Sequence, residues 1–249
     1  MRLTPALAIA ACAATFSLNA AQTNKPAATK PPAVTQTNKV VAPVAATPVV
    51  TNKVDIKDLM ALPAFTNSTG MLMVKISSSL WAGKYEVTQE EYQKIIGLNP
   101  SKFGGNLNPV DSVSWNEAME FCAKLNDAEK KEDLLLEGYK YSLPTQAQWE
   151  NLAAGTSLKS AVTSENSSRN GPAAVGSLEA NGLGLYDVRG NLWEWCLDPQ
   201  DKPFRVLRGA AWDTHYEPSL RPEFRWYSNG PGDKKPIYGF RVVLTSGGQ

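Results

Sequence analysis

Gly182 to Cys196 constrains this chain more than any other stretch. It reads Gly-Leu-Gly-Leu-Tyr-Asp-Val-Arg-Gly-Asn-Leu-Trp-Glu-Trp-Cys. Trp193 and Trp195 flank Glu194, and Asp187 lies seven residues before that carboxylate. Gly182, Gly184 and Gly190 open backbone conformations that a Cβ resists. Aromatics, glycines and two acids at this density predict a rigid core built from loop rather than a plain helix or strand.

The rest of the chain must supply what encloses that core. Residues 1–21 read as an export signal: Arg2, then an apolar run from Ala6 to Phe16, then small residues around Ala20 and Ala21. The run is too short to span a bilayer. A second reading takes Ile9-Ala10-Ala11-Cys12 as a lipobox, with Cys12 acylated. Residues 22–53 hold no aromatic and no acid, and Thr-Asn-Lys recurs at 23–25, 37–39 and 51–53. Such a segment cannot bury enough apolar surface to offset its chain entropy, so it reads as a disordered linker. Residues 54–249 carry all seven tryptophans and are long enough for one domain with a real core. The export reading places the protein in the periplasm or outside the cell, with lipid anchoring through Cys12 as the alternative.

Charge and residue counts exclude several functions. A net charge of +1 with no basic stripe argues against nucleic acid. His215 is the single histidine, which excludes a multi-histidine metal centre. Beyond the leader only Cys122 and Cys196 remain, and they read either as a disulfide or as two free thiols.

Three capping boxes punctuate the domain: Thr88–Glu91, Ser114–Glu117 and Thr145–Gln148. The first predicts a helix to about Ile96, ended by Gly97. The second opens a helix with Ala118, Phe121, Cys122 and Leu125 on one face, and the third opens a short helix through Trp149 and Leu152. Met71–Ile76, Arg205–Leu207 and Phe240–Leu244 read as brief strands. Past Gly155 helical periodicity stops. The pattern predicts a loop-rich α+β domain with two to three helices and few short strands, whose terminal strands pair.

Several motifs recur in a known family order. They are Lys84-Tyr-Glu-Val-Thr-Gln, Val113-Ser-Trp115, Tyr141-Ser-Leu-Pro-Thr-Gln-Ala-Gln-Trp-Glu150, Gly184 to Trp195, Arg205-Val-Leu-Arg-Gly209 and Gly239-Phe-Arg-Val242. In these the chain resembles the sulfatase-modifying-factor family, whose best-known member is the formylglycine-generating enzyme. The resemblance implies a complex C-type-lectin-like fold. It also implies where an oxidase would hold copper, on two cysteines just after Arg208–Trp212. Thr214 and Ser219 stand there, and hydroxyls are poor ligands for copper(I), so no copper and no formylglycine-generating activity are expected. The resemblance further implies a structural calcium on the Asp187 and Glu194 carboxylates and the carbonyls of Gly190 and Leu192, an oxygen set that suits the ion. In the family the Cys122 position pairs with one that is Val242 here.

What remains is a binding module. The segment from Trp212 to Tyr238 mixes aromatics with charges, as recognition surfaces do. Tyr216, Arg221, Arg225, Trp226 and Tyr227 are its candidate ligand-binding residues, for a protein or an envelope glycan or polymer. Trp193, Trp195, Trp212 and Phe240 are expected in the core. No catalytic residue is assigned. The alternative is an enzyme with cysteine-independent chemistry centred near His215, beside Asp213 and Glu217.

Overall fold

The computed structural model describes residues 58, 61–165, 170–199, 201–227 and 230–246. The export signal expected over 1–21, its Cys12 alternative and the linker over 22–53 lie outside the described residues. Among the described residues, no helix is long and apolar enough to cross a membrane.

Five strands form an antiparallel sheet. They are β1 (Ala64–Thr66), β2 (Leu72–Ser77), β3 (Leu80–Gly83), β4 (Tyr139–Ser142) and β9 (Val243–Ser246), in the order β1-β2-β3-β9-β4. Trp81 lies opposite Leu244 and Ala82 opposite Val243, so the early and late strands of the domain pair as expected. A second sheet runs β7-β6-β5-β8, from β5 (Trp193–Trp195), β6 (Val206–Arg208), β7 (Trp226–Tyr227) and β8 (Tyr238–Gly239). The Trp-Glu-Trp alternation is thus a three-residue strand, antiparallel to β6 and parallel to β8.

All three capping boxes form. They start α1 (Gln89–Ile96), α2 (Trp115–Lys131) and α3 (Gln146–Ala153). In each, the cap hydroxyl accepts from the third helical amide while the Glu or Gln at that position accepts from the cap amide. Each cap is worth about 1 kcal/mol. Gly97 closes α1 at φ 87°, which a Cβ would disfavour. Tyr92 of α1 stacks on Phe121 of α2 at 5.5 Å, and Phe240 meets both edge-on.

Phe240 explains why the last strand begins later than its apolar run predicts. Its ring fills the gap between α1 and α2, its carbonyl accepts from Val87 N, and regular pairing resumes only at Val243. Trp193, Trp195 and Phe240 are fully buried. Trp212 is not: it is half-buried, edge-on to Phe103 at 5.5 Å, because it forms the wall of a cleft. Cys122 and Cys196 are both free and buried, so the disulfide reading falls. Burial pushes the Cys122 thiol up to about 12 and raises that of Cys196 well above its ordinary value.

Candidate functional site

Two features stand out, a buried charged centre and a pair of clefts beside it. The centre is built on β5. Glu194 is fully buried, and Arg241, two residues beyond β8, reaches it. Arg241 Nη2 donates to Glu194 Oε1 at 2.8 Å and Nε donates at 3.2 Å, while Trp149 Nε1 donates to Oε2 at 2.8 Å. The guanidinium also donates to the carbonyls of Gly83 and Tyr186. Glu86 joins from the segment after β3, accepting from Asn191 Nδ2 at 2.6 Å and Leu192 N at 2.9 Å. Asp187 and Asn191 hold the connecting loop at φ 56° and 60°, a conformation that short polar residues tolerate. Asp187 Oδ2 accepts from Gly176 N, and its Oδ1 is buried without a partner among the described residues.

Three carboxylates therefore meet one guanidinium. Burial, then the neighbouring Asp187 and Glu194, lift the Glu86 carboxyl well above the usual range. Burial lifts Asp187 to about 6, against the bond from Gly176. Burial also raises Glu194, although Arg241 draws it back. Among the described residues, no three His, Cys, Asp or Glu side chains are placed to hold a metal between them. The expected calcium set instead mixes two carboxylates with the carbonyls of Gly190 and Leu192. The partnerless Asp187 oxygen and the uncompensated negative charge fit a cation there. Glu194 would contribute only what Arg241 and Trp149 leave free.

The clefts lie where the resemblance places the missing cysteines. Gly209 and Ala210, at φ 100° and 71°, turn the chain out of β6. Trp212 N then donates to Asn191 O, tying this loop to the charged centre. Thr214 Oγ1 accepts from Ala211 N at 3.0 Å, so this hydroxyl caps the turn. A short 3-10 turn, Glu217–Leu220, follows and buries Ser219.

Thr214 and Ser219 line one cleft of about 170 Å³, with Trp193, His215, Tyr216 and Trp226. A second, of about 420 Å³, is lined by Lys102, Phe103, Trp212 and Lys235 among others. Asp213 and Ile237 belong to both. Behind the walls, the Trp193 and Trp212 indole N–H groups are buried and have no acceptor among the described residues. Partial desolvation lifts the Asp213 carboxyl, against the pull of His215.

The five candidate binding residues do not form one patch. Tyr216 and Trp226 line the first cleft. Trp226 packs edge-on against Trp193 at 5.1 Å. Arg225 turns the other way, to Glu150 at 3.0 Å and Gln146 at 2.9 Å on α3. Tyr227 packs edge-on against Phe204 at 5.0 Å. Side chains alternate across a strand, so residues flanking Trp226 cannot share its face. Arg221 is exposed and ends the 3-10 turn. Glu86, Arg241, Phe103 and Lys102 are additions that sequence reading missed as site residues. The signal for the first two was a charge set between apolar neighbours, in Tyr-Glu-Val and Phe-Arg-Val.

Comparison with known proteins gives a consistent result. Residues 63–246 match the family model for the Sulfatase-modifying factor enzyme 1-like domain. Chaperone protein LppX of Paenibacillus barcinonensis is 28% identical over 229 residues, covering 68% of this chain and 81% of that protein. Inactive C-alpha-formylglycine-generating enzyme 2 of Mus musculus is 29% identical over 168 residues, covering 56% of this chain and 50% of that protein. Among solved structures, Treponema denticola variable protein 1 superposes with a TM-score of 0.58 at 24% identity, covering 67% of this chain and 84% of that one. That last likeness speaks for the fold alone.

Proposed function

This chain belongs to the sulfatase-modifying factor enzyme 1-like family, with its complex C-type-lectin-like α+β fold, and from that premise we propose a non-oxidase binding module that holds a protein segment in the paired clefts. One observation carries the reading. The clefts meet at Asp213 and Ile237, and their walls set Tyr216, Trp226, Phe103 and Trp212 beside Lys102 and Lys235, the mix of aromatics and cations that recognition surfaces use. Thr214 and Ser219 supply no thiolate for copper, so the cleft keeps a shape without the redox chemistry of the resemblance. Two relatives agree in kind, one named a chaperone and one named inactive.

Export rests on the signal-like residues 1–21 and the tether that follows them, with acylation at Cys12 as the other route. Calcium is part of the proposal. Asp187, Glu194 and the carbonyls of Gly190 and Leu192 would hold it, and it would neutralise charge beneath the cleft-forming loop without taking part in chemistry.

Affinity capture from envelope extract tests the binding reading. We expect a saturable protein partner that Trp226→Ala loses and Arg225→Ala keeps, since Arg225 faces α3. Retention of the partner by Trp226→Ala would sink the reading. One observation favours a second reading: His215, Asp213 and three hydroxyl residues, Thr214, Tyr216 and Ser219, line a single cleft, and the Asp213 carboxyl is raised. An enzyme there would lose turnover in His215→Ala while remaining folded.

A further inference from the structure

The second cleft has a sign. Lys102 stands on its wall and Lys235 on the same cleft, both exposed. Among the described residues, neither makes an ion pair, whereas the adjacent Lys234 pairs with Glu117 at 2.6 Å. The two lysines are also held from a common base. Buried Asp111 accepts from Lys102 N at 2.8 Å and from Phe103 N at 3.2 Å. Ser112, next in the chain, donates its N–H to Lys235 O at 3.2 Å and sits at φ 61°. A serine in that conformation is strained, and it persists because its surroundings fix it. Two consecutive residues thus set the two segments that bear the cations.

The aromatic rings of the second cleft are in use. Trp212 meets Phe103 edge-on at 5.5 Å, and Lys102 Nζ lies 5.2 Å from the Phe103 ring. What its walls offer is lysine ammoniums for carboxylates.

We propose that the second cleft selects an extended polypeptide segment carrying Asp or Glu, with Lys102 and Lys235 reading the acidic side chains. This rests on the clefts being the binding site. Exposed ion pairs of this kind each shift affinity by about two- to fivefold, and they weaken with salt.

The test is selection of a random dodecapeptide phage library on the full chain. We expect acidic residues to be enriched about threefold or more in the recovered pool. The enrichment should vanish on Lys102→Gln/Lys235→Gln and persist on Lys234→Gln. A neutral or basic pool that still depends on Trp226 would overturn the charge inference and leave the binding reading standing. A pool no richer than that from Trp226→Ala would overturn both. Lysine-dependent retention on polygalacturonate with no peptide enrichment would replace the peptide by an anionic glycan.

Discussion

The buried charged centre predicts an asymmetry between its two best-bonded members. Arg241→Leu removes the guanidinium from Glu86, Asp187 and Glu194 together. It also strips a donor from the carbonyls of Gly83 and Tyr186. Leaving buried charge uncompensated costs about 3–5 kcal/mol, and two lost carbonyl bonds add about 1–2 more. Glu194→Gln is different. The amide oxygen still accepts from Trp149 or Arg241, and Arg241 keeps two other carboxylates nearby. Its cost should be about 1–2 kcal/mol. For a domain of this size 1 kcal/mol moves the melting temperature by about 2–4 °C, so the two variants should differ by about 10 °C. Thermal unfolding followed by tryptophan fluorescence, in chelator at pH 7 and pH 5, measures this. Acid should also narrow the gap, because the raised Asp187 and Glu86 carboxyls take up protons and need the cation less. A Glu194→Gln cost equal to or above that of Arg241→Leu would refute the picture of one cation serving three acids.

Other outcomes follow from the same structure. A carboxyl at 3.8 when unfolded and about 6 when folded favours folding below pH 4, and that stability is lost as pH rises through 6. For Asp187 the full loss is about 3 kcal/mol, of which about 2 falls between pH 4.5 and pH 7, so the calcium-free protein should be more stable at pH 4.5 than at pH 7, by calorimetry. Calcium should restore stability at pH 7, and a melting temperature indifferent to millimolar calcium or chelator would count against the ion. Cys122 and Cys196 should resist alkylation in the native protein and react on unfolding, read by peptide mass spectrometry, since both are buried with raised thiols. Gly190→Ala should cost about 3 kcal/mol or more in urea unfolding. Its φ is 81°, and a Cβ there would run into the Val162 backbone, 2.7 Å from Val162 N.

What was legible in the sequence was local. The capping boxes depend on side chains three residues apart, and each forms as its spacing predicts. Trp193 and Trp195 read as core because they flank Glu194 at the end of a glycine-rich stretch. The misses are non-local. Glu86 bonds to residues more than a hundred positions away in the loop before β5, and no spacing along the chain announces that. Lys102 and Phe103 reach the cleft because Asp111 holds their amides. Arg225 and Trp226 read as neighbours in one recognition patch, yet Arg225, just before the two-residue strand β7, turns to Glu150 on α3 while Trp226 lines the first cleft. Trp212 looked like core because it is a tryptophan in a dense motif. Its loop, leaving β6 through two positive-φ residues, sets it at the edge instead.

Positions 214 and 219 show how far shape and chemistry separate in this fold. A thiolate pair there would be chemistry. Threonine and serine there are architecture: the Thr214 hydroxyl accepts the Ala211 amide, and Ser219 is packed into the 3-10 turn. The loop they stabilise is fixed from below by Asn191, whose amide bonds Glu86 and whose carbonyl takes the Trp212 N–H. The charged centre thus supports the cleft whether or not a redox pair occupies it. The walls of the clefts and the lysine pair stand around these two hydroxyl residues. A scaffold of that kind separates support from site, because the supporting residues lie on β5, in the Asp187–Asn191 loop and at Glu86 and Arg241, just beyond β3 and β8, rather than in the cleft itself.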